Sequence, residues 1–260
     1  MNSSNSAVDI MAALQRVIGQ IRELLDYLSL SGLRDIRLPS SAGDRGHADQ
    51  PDVVLRNAEA EKGLQRIARR IARCRRCPLH ESRTRTVPGK GPLRPEIIFV
   101  GEGPGAEEDR AGEPFVGPAG HLLTRMIEAM GFAREEVWIG NVVKCRPPGN
   151  RTPCLEEMEA CLPFLREQIA ILTPRVIICL GSTAAKGLLG VSRGITQIRG
   201  HWHDFAGIPV MPTFHPAYLL RNPEQKRTVW QDLLAVLDFL GREPPPRFRG
   251  RKPKTDRGGE

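Results

Sequence analysis

The stretch from Ile97 to Phe115, IIFVGEGPGAEEDRAGEPF, decides the fold class of this chain. Its first four residues are apolar and lie between Pro95 and Gly101, a pattern typical of a short buried strand. A glycine-rich turn follows, in which glycine permits positive φ angles and close approach of the backbone. Because open α/β sheets bind ligands at the carboxyl ends of their strands, we expect functional residues in this loop.

Acidic side chains occupy the same loop. Glu102 lies inside the turn, and Glu107, Glu108 and Asp109 follow it. Carboxylates repel a phosphate group, so this loop does not resemble the phosphate-binding loops that open many α/β domains.

Further strand and helix patterns alternate along the chain. Besides the strand at 97–100, we predict strands at 137–140, 175–180 and 209–213, and helices at 59–73, 119–130, 155–171, 183–189 and 224–240. Such alternation indicates a mainly parallel sheet with helices on both faces. The predicted fold class is therefore α/β, a three-layer α/β/α sandwich around a short, mainly parallel four-stranded sheet.

The two ends of the chain differ in composition from its centre. Residues 1–30 carry a coiled-coil-like apolar stripe and are predicted to form an amphipathic helix that docks on the core, on a partner protein or on a second copy. Residues 31–56 are rich in Ser, Gly, Asp and Pro and are predicted to be a flexible linker. Residues 57–241 form the predicted domain, and the basic tail 242–260 is predicted to be disordered.

Positive charge is concentrated in two segments of a chain whose net charge is +8. Residues 62–94 carry eleven Lys and Arg against one acid, and residues 242–260 carry seven against three. Such segments suggest a polyanionic partner, most simply nucleic acid, although a solvated surface would also account for them. No apolar run reaches membrane-spanning length, and the N-terminus lacks the order of a secretion signal. We therefore expect a cytoplasmic protein that binds no membrane.

Four cysteines have the spacing of metal ligands. Cys74 and Cys77 form a CxxC pair, and Cys145 and Cys161 are separated by fifteen residues. In a cytosolic chain such cysteines indicate ligands or reactive thiols rather than disulfides. Four thiolates fit a structural zinc ion or an iron–sulfur cluster, and the spacing leaves both open.

Polar residues follow two of the later predicted strands. Asn141 offers a donor and an acceptor side by side, as reading one edge of a base requires, although such an Asn also commonly caps a turn. His215 could donate to a developing anion or be a structural histidine. The run after it could form an apolar wedge beside a phosphate contact, or belong to the core. This run consists of Tyr218, Leu219, Leu220 and Arg221.

Three ordered motifs combine these residues: GEGPGAEEDRAGEPFVGPAG at 101–120, NVVKCRPPGNRTP at 141–153 and HPAYLLR at 215–221. Together with the four spaced cysteines, they resemble the motifs of the family 4 (iron–sulfur) uracil-DNA glycosylases of bacteria and archaea. The resemblance covers residues 60–241. Ala106 stands where the family commonly has an acid, and the basic, His-bearing insertion of the related covalent uracil-binding enzymes is not seen.

The resemblance implies an enzyme that flips uracil out of single- or double-stranded DNA and hydrolyses its N-glycosidic bond, leaving an abasic site for base excision repair. It also implies a [4Fe-4S] cluster with a structural role. The implied ligands are Cys74, Cys77, Cys145 and Cys161.

The resemblance implies a role for each residue around the base. Phe115 would stack on uracil, Asn141 would pair with N3–H and O4, and His215 would face O2 with backbone N–H groups near Glu102 and Gly103. The implied uracil-binding set is Gly101, Glu102, Gly103, Phe115, Asn141 and His215.

Two carboxylates are candidates for positioning the attacking water. Glu102 is the first, and Glu108 is either the second or a wall against the thymine methyl group. Tyr218 to Leu220 would fill the space that the base vacates, and Arg221 would contact a phosphate.

Two other functions remain compatible with the sequence. One is a non-catalytic iron–sulfur protein that binds DNA as a damage sensor or polymerase accessory. The other is a glycosylase for another deaminated base, such as hypoxanthine or xanthine.

Overall fold

A mainly parallel sheet forms the centre of the computed structural model, which describes residues 51–248. Its strands are β1 (Ile97–Gly101), β2 (Trp138–Asn141), β3 (Val176–Leu180), β4 (His203–Phe205) and β5 (Ile208–Thr213). Their order across the sheet is β2-β1-β3-β5-β4, with β4 antiparallel to β5 and every other pair parallel. The carboxyl ends of β1, β2, β3 and β5 therefore share one edge.

Helices connect these strands. They are α1 (Pro51–Ala72), α2 (Leu79–Ser82), α3 (Ala106–Ala111), α4 (Pro118–Ala129), α5 (Leu155–Leu172), α6 (Ser182–Leu189), α7 (Ile195–Ile198), α8 (Pro216–Arg221) and α9 (Lys226–Leu240). Single 3-10 turns lie at Arg134–Glu136, Pro148–Asn150, Pro223–Gln225 and Pro246–Phe248. Within 51–248, no helix combines the length and the apolar character needed to span a membrane.

The sheet is covered on both faces, which confirms the predicted three-layer architecture. Successive residues of β1 alternate between two hydrophobic cores, as the period of two in a strand requires. Ile98 and Val100 belong to the core that contains α1 and α5 residues. Ile97 and Phe99 belong to the core formed with α4 and α9. All five residues of β1 are buried, as expected for a parallel strand between helical layers.

The structure departs from the sequence predictions at three places. The sheet has a fifth strand, β4, whose three residues are too short and polar to stand out in the sequence. Helix α1 begins at Pro51, so residues 51–56 are helical and were wrongly assigned to the linker. The start of the tail 242–260 contacts the domain, because Arg242 lies over Phe132 and Phe248 contacts Trp230. The amphipathic helix predicted at 1–30 lies outside the described residues.

Candidate active site

A cavity of about 570 Å³ opens at the carboxyl edge of the sheet. The loop after β1, the end of β2 and the start of α8 all contribute to it, as does the loop after β2. Its volume falls in the range typical of ligand pockets. The predicted site residues that line it are Glu102, Gly103, Glu108, Phe115, Asn141, His215, Tyr218 and Arg221.

Asn141 lines this cavity and carries an unpaired polar atom. It is the last residue of β2, lies opposite Gly101 in the parallel register and is only 1% exposed. Its Oδ1 is buried without a hydrogen-bond partner among the described residues. Because buried amide groups are costly when unpaired, Asn141 is poised for a ligand.

Gly101 makes room for two of these side chains. A Cβ atom at this position would lie 2.5 Å from Asn141 Oδ1 and 2.6 Å from Phe115 Cζ. Gly101 does not line the cavity, so its role in the predicted uracil-binding set is to permit close packing behind the pocket.

The Phe115 ring is held by an unusual backbone conformation. Phe115 has φ +53°, a left-handed value that costs a non-glycine residue free energy. The guanidinium of Arg134 donates to the carbonyl oxygens of Phe115 (3.0 Å) and Pro114 (2.7 Å). Gly120 packs so closely that a Cβ there would overlap the Phe115 carbonyl. These contacts fix the ring in the cavity, and Arg134 was not identified from the sequence.

The imidazole of His215 is neutral and presents a donor. Its Nδ1 accepts a hydrogen bond from the Ala217 backbone N–H (3.1 Å), which caps helix α8. Burial lowers the pKa of His215 to about 4, aided by the charge of Arg221 and opposed by Glu108. With Nδ1 as acceptor, the neutral ring carries its proton on Nε2. The ring centroid lies 5.6 Å from that of Phe115.

The two candidate carboxylates have different surroundings. Glu108 Oε1 accepts from the backbone N–H groups of Val116 and Gly117, and Oε2 accepts from Gly105, each at 3.0 Å. Glu108 therefore holds the loop in shape, and its expected role in positioning water does not fit this arrangement. The Glu102 side chain lines the cavity and accepts none of these three hydrogen bonds.

The proposed DNA wedge divides into buried and exposed residues. Leu219 is 1% exposed and packs in the core beneath the sheet, so its assignment to DNA contact was wrong. Leu220 is 43% exposed and remains available. Tyr218 and Arg221 line the cavity. The helical turn of α8 separates these neighbours, because consecutive residues point in different directions around a helix.

The four predicted ligands lie around one small cavity, on the face of the sheet that α1 and α5 cover. Cys74, Cys77, Cys145 and Cys161 all line it and are free thiols. No three His, Cys, Asp or Glu residues in the described part of the chain are grouped closely enough to hold a single metal ion.

Positive side chains surround these cysteines. Arg83 donates to Cys145 Sγ (3.2 Å) and to the Cys74 carbonyl oxygen (3.0 Å). Lys144 lines the same cavity and is 1% exposed, and its Nζ has no hydrogen-bond partner in the described residues. Burial lowers the pKa of Lys144 to about 8, against the opposing effect of Cys161. The burial of Lys144 was not predictable from the sequence, since this lysine lies in a polar, basic motif.

Hydrogen bonds from backbone N–H groups to the Asp109 side chain join the cysteine site to the active-site loop. The buried carboxylate of Asp109, in α3, accepts from the backbone N–H of Thr84 (2.9 Å) and of Arg85 (3.3 Å). These residues directly follow Arg83, which contacts the cysteines. Asn141 and Cys145 are also only four residues apart. The two sites are thus built on shared segments of chain.

Comparison with known proteins identifies the family. The sequence model of the Uracil DNA glycosylase superfamily matches residues 88–234. The chain belongs to this superfamily. It is 49% identical over 187 residues to the type-4 uracil-DNA glycosylase of Thermotoga maritima, covering 70% of this chain and 97% of that protein. The corresponding enzyme of Pyrobaculum aerophilum is 46% identical, with 65% and 91% covered, and that of Archaeoglobus fulgidus is 40% identical, with 72% and 98% covered.

The region that matches the superfamily model includes the part of the chain that forms the cavity. The matched region spans every strand of the sheet and both cavity-lining loops. The cavity is also lined by residues to which the sequence analysis assigned no individual role, namely Pro118, Ala119, Pro147, Asn150, Arg151 and Thr152.

Proposed function

We propose that this chain is a uracil-DNA glycosylase that binds an extruded uracil in the 570 Å³ cavity and hydrolyses its N-glycosidic bond. The observation that carries the proposal is the buried, unpaired Oδ1 of Asn141 in the same cavity as Phe115 and His215. The base must leave the duplex, because its glycosidic bond is inaccessible inside the stack.

Asn141 reads the pyrimidine edge. Its Oδ1 accepts from uracil N3–H and its Nδ2 donates to O4, while the ring of Phe115 stacks on the base. Cytosine presents an acceptor at N3 and a donor at N4, so both hydrogen bonds would be lost. The unpaired Asn141 amide would then make kcat/KM for cytosine lower than that for uracil by roughly 10⁴-fold or more.

Departure of the base is assisted at O2. As the bond between N1 and C1′ breaks, its electron pair moves onto uracil and negative charge develops on O2. The neutral His215 ring donates from Nε2 to this oxygen, with backbone N–H groups near Glu102 and Gly103. The deoxyribose becomes oxocarbenium-like. A water positioned by Glu102 adds to C1′, and its proton passes to the carboxylate.

The DNA strand is held at the cavity mouth. Leu220 and Tyr218 fill the space left by the base, and Arg221 contacts a phosphate. Leu220 supports this assignment because it is an exposed leucine in α8, between Tyr218 and Arg221, which line the cavity. Flipping costs a few kcal/mol, least for a poorly paired base, which favours uracil opposite guanine.

The cysteine site suits a [4Fe-4S] cluster held by Cys74, Cys77, Cys145 and Cys161. The four thiols share one cavity, and Arg83 already donates to one of them. A bound cluster would join the α1 end and the loop after β2 by covalent bonds, which stabilises segments that also carry Asn141. None of the residues assigned to the base is a ligand, so the proposed role is structural.

A uracil-release assay tests this function. The full chain is incubated with single- and double-stranded oligonucleotides that contain one uracil, and the abasic product is cleaved with alkali. Matched oligonucleotides with cytosine, hypoxanthine or xanthine are the comparison. Release of uracil alone is expected. Binding without release would support a non-catalytic DNA-binding protein, and faster release of a purine would support a glycosylase for another deaminated base.

Point variants connect the activity to the cavity. Asn141→Ala and His215→Ala should each lower uracil release by about 100-fold or more, because each removes a hydrogen bond made in the transition state. Asn57→Ala and His201→Ala, which lie outside the cavity, are the matched controls. Wild-type rates for both cavity variants would contradict the assignment.

A further inference from the structure

Lys144 is an unexplained feature of the structure. Its side chain is 1% exposed, and its Nζ has no hydrogen-bond partner within residues 51–248. Removing an ammonium group from water is costly unless a nearby negative charge compensates for it. Its Nζ lies 5.7 Å from the centroid of the Trp138 ring. A cation–π contact supplies only a small part of that cost.

The surroundings of Lys144 supply a location for the missing negative charge. The residue lines the cavity that contains all four candidate ligands. Its backbone N–H donates to Cys161 Sγ (3.3 Å), and Cys145 is its neighbour in the chain. No carboxylate lines this cavity. The compensating charge must therefore come from the thiolates and from what they bind.

We propose that Lys144 is the charge-compensating side chain of the [4Fe-4S] cluster and raises its reduction potential. The inference rests on the cofactor proposed above. Four thiolates give such a cluster a net negative charge, and a buried cation beside it stabilises the reduced form, which is one electron more negative. Net charge and hydrogen bonds to sulfur are among the factors that set cluster potentials. Arg83 supplies the complementary hydrogen bond to Cys145 Sγ.

The test compares three substitutions in the full chain, purified without oxygen. Lys144→Met removes the charge and keeps most of the side-chain volume, and Lys144→Arg keeps the charge. Lys90→Met is the control, because it removes an exposed lysine paired with Glu113. Iron and sulfide content, visible absorption and the one-electron potential by protein-film voltammetry are measured for each protein.

We expect Lys144→Met to lower the potential by about 59 mV or more, equivalent to a tenfold shift in the one-electron reduction equilibrium. Lys144→Arg and Lys90→Met should stay close to the wild type. A fully loaded Lys144→Met protein with an unchanged potential would overturn the inference. If Lys144→Met fails to hold the cluster while Lys144→Arg holds it, charge compensation is supported. If both fail, the side-chain shape is what matters and the inference is wrong.

The cofactor proposal has a separate readout. Wild-type protein with zinc in place of iron and sulfide would contradict the [4Fe-4S] assignment itself. Iron and sulfide in the wild type, with no effect of Lys144→Met, would contradict only the role of Lys144. Uracil release by the wild type does not depend on either result.

Discussion

The neutral state of His215 makes a quantitative prediction about pH. Its pKa is lowered from the ordinary value of 6.5 to about 4, mainly by burial. With a pKa of 6.5, the neutral fraction would rise about 25-fold between pH 5 and pH 7. With a pKa near 4, the same change in pH alters it by only about 1.1-fold. We therefore expect no inflection from His215 in kcat/KM across this range.

Imidazole NMR measures this state directly. In protein labelled with ¹⁵N-histidine, His215 should show an unprotonated Nδ1 and a protonated Nε2, with a midpoint well below pH 6.5. His215→Gln assigns the signals. Because the unfolded state binds a proton below about pH 6.5 and the folded state only below about pH 4, His215 should also lower stability as pH falls through this window. Titration near pH 6.5, or a proton on Nδ1 in the neutral ring, would refute the reasoning.

Three substitutions test the packing around the cavity. Gly101→Ala should lower kcat/KM for uracil release by roughly 100-fold, because its Cβ would lie 2.5 Å from Asn141 Oδ1 and displace the reading group. Leu219→Ala should lower the free energy of unfolding in urea by about 2–5 kcal/mol, whereas Leu220→Ala should leave it nearly unchanged and weaken activity on double-stranded DNA. Arg134→Met should raise KM for uracil-containing DNA by about tenfold with a smaller change in kcat, because two carbonyl oxygens that hold the aromatic ring lose their donor.

Each of these predictions has a control or a contradicting result. Arg125→Met is the control for Arg134→Met. It removes an exposed arginine from α4 and should leave KM and kcat unchanged. Rescue of KM by Arg134→Lys would show that a single donor suffices to hold the ring. Equal losses of stability in Leu219→Ala and Leu220→Ala would contradict the assignment of Leu219 to the core and of Leu220 to the exposed surface. Full activity of Gly101→Ala would mean that Asn141 does not need its present position.

The strand patterns and motif residues were predictable because they depend on local sequence. The apolar run of β1, the glycine turn after it and the position of Asn141 at a strand end can all be predicted without tertiary information. Parallel strands bring their carboxyl ends to one edge, so most residues predicted for the site share the cavity.

Features that depend on tertiary contacts were not predictable. Leu219 and Leu220 look alike in the sequence, and only the orientation of α8 buries one and exposes the other. Glu108 resembles Glu102 until the folded loop brings three backbone N–H groups to its carboxylate. Lys144 belongs to a polar motif, and its burial follows from the packing of the cysteine site between α1 and α5.

A crystal structure of the protein with free uracil would test the account most directly. We predict that the base lies in the cavity against the ring of Phe115, with the Asn141 amide on its N3–H and O4 edge. His215 Nε2 should be within hydrogen-bond distance of O2. Uracil bound elsewhere, or bound here with its N3–H and O4 edge turned away from Asn141, would contradict the account.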